Sequence, residues 1–148
     1  MKIKSIGNVL RTQPTAPPVR SSGLPVLVPC RVLVVDDNTD LAEATSRLLR
    51  LFGFLVETAK NGCTAVELTR AFRPFIVLMD INLPDMDGYE VARNLRKDHG
   101  MDQAILIAMS AVEPRINSPF DREARFDHYL MKPFDLELLL CILTESTH

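Results

Sequence analysis

Two periods alternate along this chain. Three short runs are apolar almost throughout, Arg31-Val32-Leu33-Val34-Val35, Phe75-Ile76-Val77-Leu78-Met79 and Ala104 to Met109, which suits strands buried on both faces. Between them apolar residues recur at helical spacing. Leu41, Ala44, Leu48 and Phe52 form one stripe, with Gly53 placed to stop the helix. Ala65, Leu68 and Phe72 form a second, between the Asn61-Gly62 turn and Pro74. Val91 and Leu95 mark a third, with Arg93, Arg96 and Lys97 turned outward as a solvated face. Phe54 to Ala59 alternates like an edge strand, His128 to Met131 is a brief last strand, and Asp135 caps a helix carrying Leu136, Leu139, Leu140 and Leu143 on one face. Only 112–127 is irregular: Pro114 could start a helix, but Pro119 falls where its middle belongs, so any helix there is short or broken.

Five strands separated by single helices imply right-handed crossovers and a three-layer, doubly wound α/β fold with a five-stranded parallel sheet. The first, third and fourth strands, being the most apolar, belong at its centre. Residues 1–30 contain Pro14, Pro17, Pro18, Pro25 and Pro29 and read as a disordered, basic N-terminal extension; residues 31–148 form the folded domain.

Charge refines this only slightly. The chain carries a formal net charge of −2, and no Asp or Glu precedes Asp36, so the folded part is acidic and a direct DNA-binding surface is not expected there. Three cysteines without paired spacing suggest neither a disulfide framework nor a zinc site, and fit a cytoplasmic location. No run is long enough to span a membrane, and no secretory signal is evident.

In sheets of this kind, ligands bind beyond the carboxyl ends of the strands, and the polar residues stop the strands there. Asp36 and Asp37 follow the first, Asp80 ends the third, Ser110 follows the fourth and Lys132 the fifth. Three neighbouring carboxylates raise each other's pKa unless a cation sits among them, and an all-oxygen donor set selects Mg²⁺ or Mn²⁺. Lys132 and Ser110 suit an anion arriving at Asp80. A carboxylate so surrounded makes chemical sense as a nucleophile toward phosphorus, because phosphoryl transfer is mostly positioning and neutralisation of oxygen charge.

These residues resemble the receiver domains of two-component response regulators over about residues 31 to 146. The likeness rests on Val34-Val35-Asp36-Asp37, on Leu78-Met79-Asp80 with Leu83-Pro84-Asp85-Met86-Asp87-Gly88, on Ser110-Ala111 and on Lys132-Pro133-Phe134. It implies a flavodoxin-like strand order 2-1-3-4-5, phosphorylation of Asp80, and metal binding through Asp36, Asp37, Asp80 and the backbone carbonyl of Asn82. It further implies that Ser110 and Lys132 hold the phosphoryl group, that Tyr129 is an aromatic switch, that a cis peptide joins Lys132 and Pro133, and that the donor is a histidine kinase or a histidine phosphotransfer protein. Two departures, Pro119 in the fourth-helix region and Arg125 in place of a usual glycine, bear on the output surface rather than the chemistry. With no second domain expected after the last helix, the chain should act through another protein as a phosphorelay switch, and should catalyse only its own phosphoryl acceptance and loss. The rivals are a phosphorylation-independent binding module of the same fold, and a magnesium-dependent phosphatase. The latter lacks a second carboxylate two residues beyond Asp80, where Asn82 stands.

Overall fold

The computed structural model describes residues 29–113 and 119–146; most of the proline-rich extension, and Pro114, lie outside the described residues. Five parallel strands, β1 (Arg31–Val35), β2 (Leu55–Ala59), β3 (Ile76–Asp80), β4 (Ile105–Ser110) and β5 (His128–Met131), form one sheet in the order β2-β1-β3-β4-β5. The helices between and after them are α1 (Thr39–Leu51), α2 (Gly62–Phe72), α3 (Gly88–Arg96), α4 (Pro119–Ala124) and α5 (Leu136–Ser146).

Alternation along the central strands builds two cores. Val32, Val34, Ile76, Leu78, Ile107 and Met109 face one way and pack with Ala42 and Leu49 of α1 and Leu139 and Leu143 of α5. Leu33, Val35, Val77, Met79, Leu106 and Ala108 face the other way, against Ala65 of α2, Val91 and Leu95 of α3 and Ala124 of α4. The sheet is therefore covered on both sides, as the near-continuous apolar strands require.

Several local expectations change. The buried stripe of α1 is Ala42, Thr45, Ser46 and Leu49, one residue out of phase with the expected one. Ser46 fits because a short hydroxyl can be buried if bonded, and its Oγ donates to the Ala42 carbonyl at 2.8 Å. Phe52, expected on that stripe, is 61% exposed, since the chain has already turned. Gly53 at φ +93 ends α1, with its N–H on the Arg50 carbonyl and that of Phe54 on the Leu49 carbonyl, the paired bonds of a Schellman turn. Phe75 precedes β3 and is exposed, and so is Leu136. Pro119 does not interrupt α4 but begins it, where a missing N–H costs nothing and the fixed φ favours the helix.

Arg96 departs furthest from expectation. Its side chain is 7% exposed, and it lies inward across the ends of four elements instead of facing solvent. Its guanidinium donates to the carbonyls of Ala104 (2.8 Å), Asp102 (3.2 Å) and Arg125 (2.6 Å) and to Asp127 Oδ2 (3.1 Å).

Candidate functional site

Strand register assembles the site. Val35 pairs with Met79, so Asp36 leaves β1 beside Asp80 at the end of β3. Met109 pairs with Asp80, and Ser110 with Met131, so Ser110 and Lys132 follow one step further along the same rim; the Lys132 N–H donates to the Ser110 carbonyl at 2.7 Å. Residues separated by up to 96 positions thus converge. The Lys132-Pro133 peptide is cis.

Each of the two buried carboxylates is held at both oxygens. Asp36 Oδ1 accepts the N–H of Asn38 at 3.0 Å, and Asp80 Oδ1 accepts the N–H of Asn82 at 2.9 Å. These bonds, each made two residues on, aim the remaining oxygens at one another's neighbourhood. The Lys132 ammonium fills the position between them, 2.8 Å from Asp36 Oδ2 and 3.0 Å from Asp80 Oδ2. Asp36 is 1% and Asp80 6% exposed, while Asp37 stands in solvent at the mouth.

The electrostatics follow from that burial. Desolvation raises the Asp80 pKa, and the Asp36 charge adds to it; the Asn82 N–H and Lys132 oppose the rise without cancelling it. For Lys132, desolvation works against the ammonium, but the hydrogen bonds and charges of Asp36 and Asp80 outweigh it and its pKa is raised.

Asp36, Asp37 and Asp80 each offer a carboxylate oxygen, all within 4.8 Å of one another. Three hard oxygens that close, against a single ammonium, leave negative charge in excess, and this donor set fits a divalent Mg²⁺-type cation. Asn82, partner to Asp80 through its N–H, lies beside this cluster on the exposed side. Ser110 is 3% exposed, and its Oγ accepts the Val112 N–H at 3.1 Å, leaving its hydroxyl proton for another acceptor. Tyr129 stands apart from the carboxylates: its ring packs edge-on against Phe126 at 5.8 Å, on the α3/α4 side of the sheet, and its buried hydroxyl has no hydrogen-bond partner among the described residues.

Two supporting carboxylates were not legible as such in the sequence. Asp85 accepts the N–H groups of Gly62 (2.7 Å) and Cys63 (2.9 Å) at the start of α2, which pulls its pKa down to about 2. Asp87 caps α3 through the Tyr89 N–H at 2.8 Å. Just after these anchors the chain passes so close to the end of β3 that a Cβ on Gly88 would lie 2.6 Å from Ile81 Cα and 2.8 Å from the Asp80 carbonyl oxygen. The turn residues hinted at the loop, but its long-range partner at Gly62 left no local signal.

The family model of the response regulator receiver domain matches residues 32–144. The chain is 41% identical over 119 residues to the probable transcriptional regulatory protein TcrX of Mycobacterium tuberculosis, covering 80% of this chain and 48% of that protein. It is also 41% identical over 115 residues to the response regulator MprA of Mycolicibacterium vanbaalenii, covering 76% and 48%. The chain thus spans about half the length of these curated relatives. Among solved structures, the chemotaxis response regulator CheY4 of Vibrio cholerae superposes with a TM-score of 0.74 at 25% identity, covering 80% of this chain and 99% of that one. A CheY-like receiver domain protein of Methanospirillum hungatei does so with a TM-score of 0.73 at 31% identity, covering 80% and 94%.

Proposed function

The chain belongs to the response regulator receiver family, and from that premise we propose that it is a phosphorylation-activated switch whose phosphoacceptor is Asp80. The observation that carries this reading is the Asp36–Lys132–Asp80 bridge at 2.8 and 3.0 Å, a nucleophilic carboxylate held with both a cation and a metal-type donor set. The proposed donor is a phosphohistidine on a histidine kinase or a histidine phosphotransfer protein. An Asp80 oxygen attacks phosphorus, the P–N bond breaks, and its electron pair leaves on the imidazole nitrogen. Lys132, released from its two carboxylates, donates to a phosphoryl oxygen, and the Ser110 hydroxyl donates to another. Asp36, Asp37 and Asp80, with the Asn82 carbonyl, would hold Mg²⁺, which when bound neutralises charge on the phosphoryl oxygens.

Phosphorylation adds roughly 1.5 to 2 negative charges at a rim where Ser110 ends β4 and Lys132 directly follows β5. Drawing both inward changes the packing at the ends of β4 and β5 and frees space for Tyr129, whose hydroxyl has no partner among the described residues to lose. Output then passes to a protein partner. The chain acts on no substrate beyond its own aspartate in this reading. Among the described residues no helix is long and apolar enough to cross a membrane, which is compatible with cytoplasmic action.

Intact mass after incubation with acetyl phosphate and Mg²⁺ tests the proposal. A gain of one phosphoryl group, lost on alkaline treatment, absent in Asp80→Asn and absent without metal, is the expected result. No gain with acetyl phosphate or with a phosphotransfer protein, from a folded chain that binds Mg²⁺, would replace it with the phosphorylation-independent binding module.

A further inference from the structure

The loop between β3 and α3 is fastened at more points than a turn requires. Its base is closed by an antiparallel bridge between Asn82 and Asp87 and by the Gly88 N–H on the Ile81 carbonyl at 2.7 Å. Its tip is tied to a different element. Asp85 accepts the Gly62 N–H on one oxygen and the Cys63 N–H on the other, and Met86 lies so close to Gly62 that no side chain could stand there.

This clamp is not what caps α2. The Asn61 side chain already accepts the Thr64 N–H at 2.8 Å, and the Asn61 carbonyl accepts that of Ala65 at 3.1 Å. What α2 lacks is an acidic residue in its own first turn. The carboxylate that its positive end favours comes instead from Asp85, 22 and 23 residues further on. Asp85 is exposed, so the two N–H bonds, and not burial, keep it in place. Three residues back along the same loop stands Asn82, whose N–H is bonded to Asp80 Oδ1 and whose carbonyl belongs to the proposed metal set. A group that orients a metal donor without touching the metal still governs affinity, because it holds the donor where the ion needs it.

We propose that Asp85 is a positioning residue of the phosphoacceptor site: by tying the loop tip to α2 it fixes the Asn82 peptide beside Asp80, and so sets the affinity for the divalent cation. This rests on the reading of Asp80 as a metal-assisted phosphoacceptor, of which it needs only the metal half.

The test is Mg²⁺ binding without any phosphodonor, followed by amide shifts of the isotopically labelled full chain, for the natural protein, Asp85→Ala, Asp85→Asn and Asn61→Ala. Asn61→Ala removes an acceptor from the same helix end and leaves the loop tied, so it controls for weakening of α2; dispersed amide spectra check that each variant folds. The expected result is roughly tenfold weaker binding in Asp85→Ala, a smaller loss in Asp85→Asn, whose amide oxygen keeps one of the two bonds, and affinity within about twofold of natural in Asn61→Ala. With acetyl phosphate, the Mg²⁺ concentration giving the half-maximal rate should rise by the same factor in Asp85→Ala, while the rate at saturating Mg²⁺ stays within about twofold. Unchanged Mg²⁺ affinity in folded Asp85→Ala, an equal loss in Asn61→Ala, or a loss of rate that saturating Mg²⁺ does not recover would each overturn the proposal. So would equal losses in Asp85→Ala and Asp85→Asn, because the missing charge alone would then explain them. If the natural chain takes up no phosphoryl group while the Mg²⁺ affinities separate as expected, the phosphoacceptor reading falls and the clamp stands.

Discussion

Lys132 and Arg96 are both cations drawn in from the surface, and both join distant segments, yet their surroundings differ in one decisive respect. Arg96 ends on fixed acceptors, the carbonyls of Ala104, Asp102 and Arg125, and on Asp127, which is itself held by the Leu106 N–H at 2.8 Å. Lys132 ends on two carboxylates with a third nearby. The first cluster is balanced and has nothing to gain by rearranging. The second holds surplus negative charge that another cation would relieve, and an ammonium that an arriving anion would attract. Burial and ion pairing are common to both; it is the imbalance that separates a site from a staple.

Breaking the staple should have the larger effect on stability. Arg96→Met removes the donor from the carbonyls of Ala104, Asp102 and Arg125 and leaves Asp127 with the Leu106 N–H but no cation, while keeping most of the apolar stem. Unpaired polar groups at partly buried positions make a loss of about 3 kcal/mol the expected result in urea unfolding. Mg²⁺ affinity measured on the folded fraction should stay within twofold, because none of the metal-type donors touches Arg96. A variant as stable as the natural chain would show that the network is a surface decoration.

Lys132→Met should do the reverse. Without the ammonium, Asp36 and Asp80 repel, and the metal-free variant should lose about 1–2 kcal/mol at neutral pH. Millimolar Mg²⁺ should restore most of it, bind more tightly than to the natural chain, and yet support little phosphorylation. The pH dependence gives a separate check. Lys132 is raised above its ordinary value of 10.5, so its contribution is full below that value and is lost as pH rises through the folded pKa. The natural chain should therefore show an alkaline loss that the variant lacks. Asp80 is raised above its ordinary value of 3.8, so folding favours its protonated form, and stability from this group falls as pH rises through the folded pKa. Removing Lys132 deepens that fall. Identical pH profiles for the two proteins would mean that the bridge carries no energy.

The same contrast explains what could be read from the chain alone. The central place of β1, β3 and β4 was legible from their apolarity, and the strand-end carboxylates, Ser110 and Lys132 because strand ends in a doubly wound sheet share one rim; the full order 2-1-3-4-5 came from the resemblance to receiver domains alone. Arg96 was not legible, because its partners are backbone carbonyls, which every residue possesses and no pattern marks. Asp85 was seen as a turn residue but not as the clamp on Gly62 and Cys63, for the same reason. The one-residue phase shift in α1 was hidden because Ser46 counts as polar in the sequence, whereas the bond from its Oγ to the Ala42 carbonyl lets it sit in the core. The expected short helix is present, six residues long, but Pro119 opens it instead of breaking it, because a proline's effect depends on where the helix starts.

Tyr129 lies between the two regions and gives the smallest and sharpest test. Its ring joins the stack of Phe126 and Tyr89, with centroids 5.8 and 5.5 Å apart along the chain of rings, on the side of the sheet that Arg96 braces. Its hydroxyl, buried and without a partner among the described residues, gains nothing from that position. In the unphosphorylated chain, Tyr129→Phe should therefore be neutral or stabilising by up to about 1 kcal/mol, since it removes an unsatisfied polar atom and keeps the packing. If the hydroxyl finds a partner only after Asp80 is phosphorylated, the difference should reverse in sign in the presence of Mg²⁺ and beryllofluoride, a phosphoryl mimic. Paired thermal unfolding of the two proteins, with and without the mimic, reads both halves of the cycle. A destabilised variant in the free state would mean that the hydroxyl is already bonded and that Tyr129 belongs with the staple. A stabilised variant whose advantage survives the mimic would make it a packed aromatic with no part in switching.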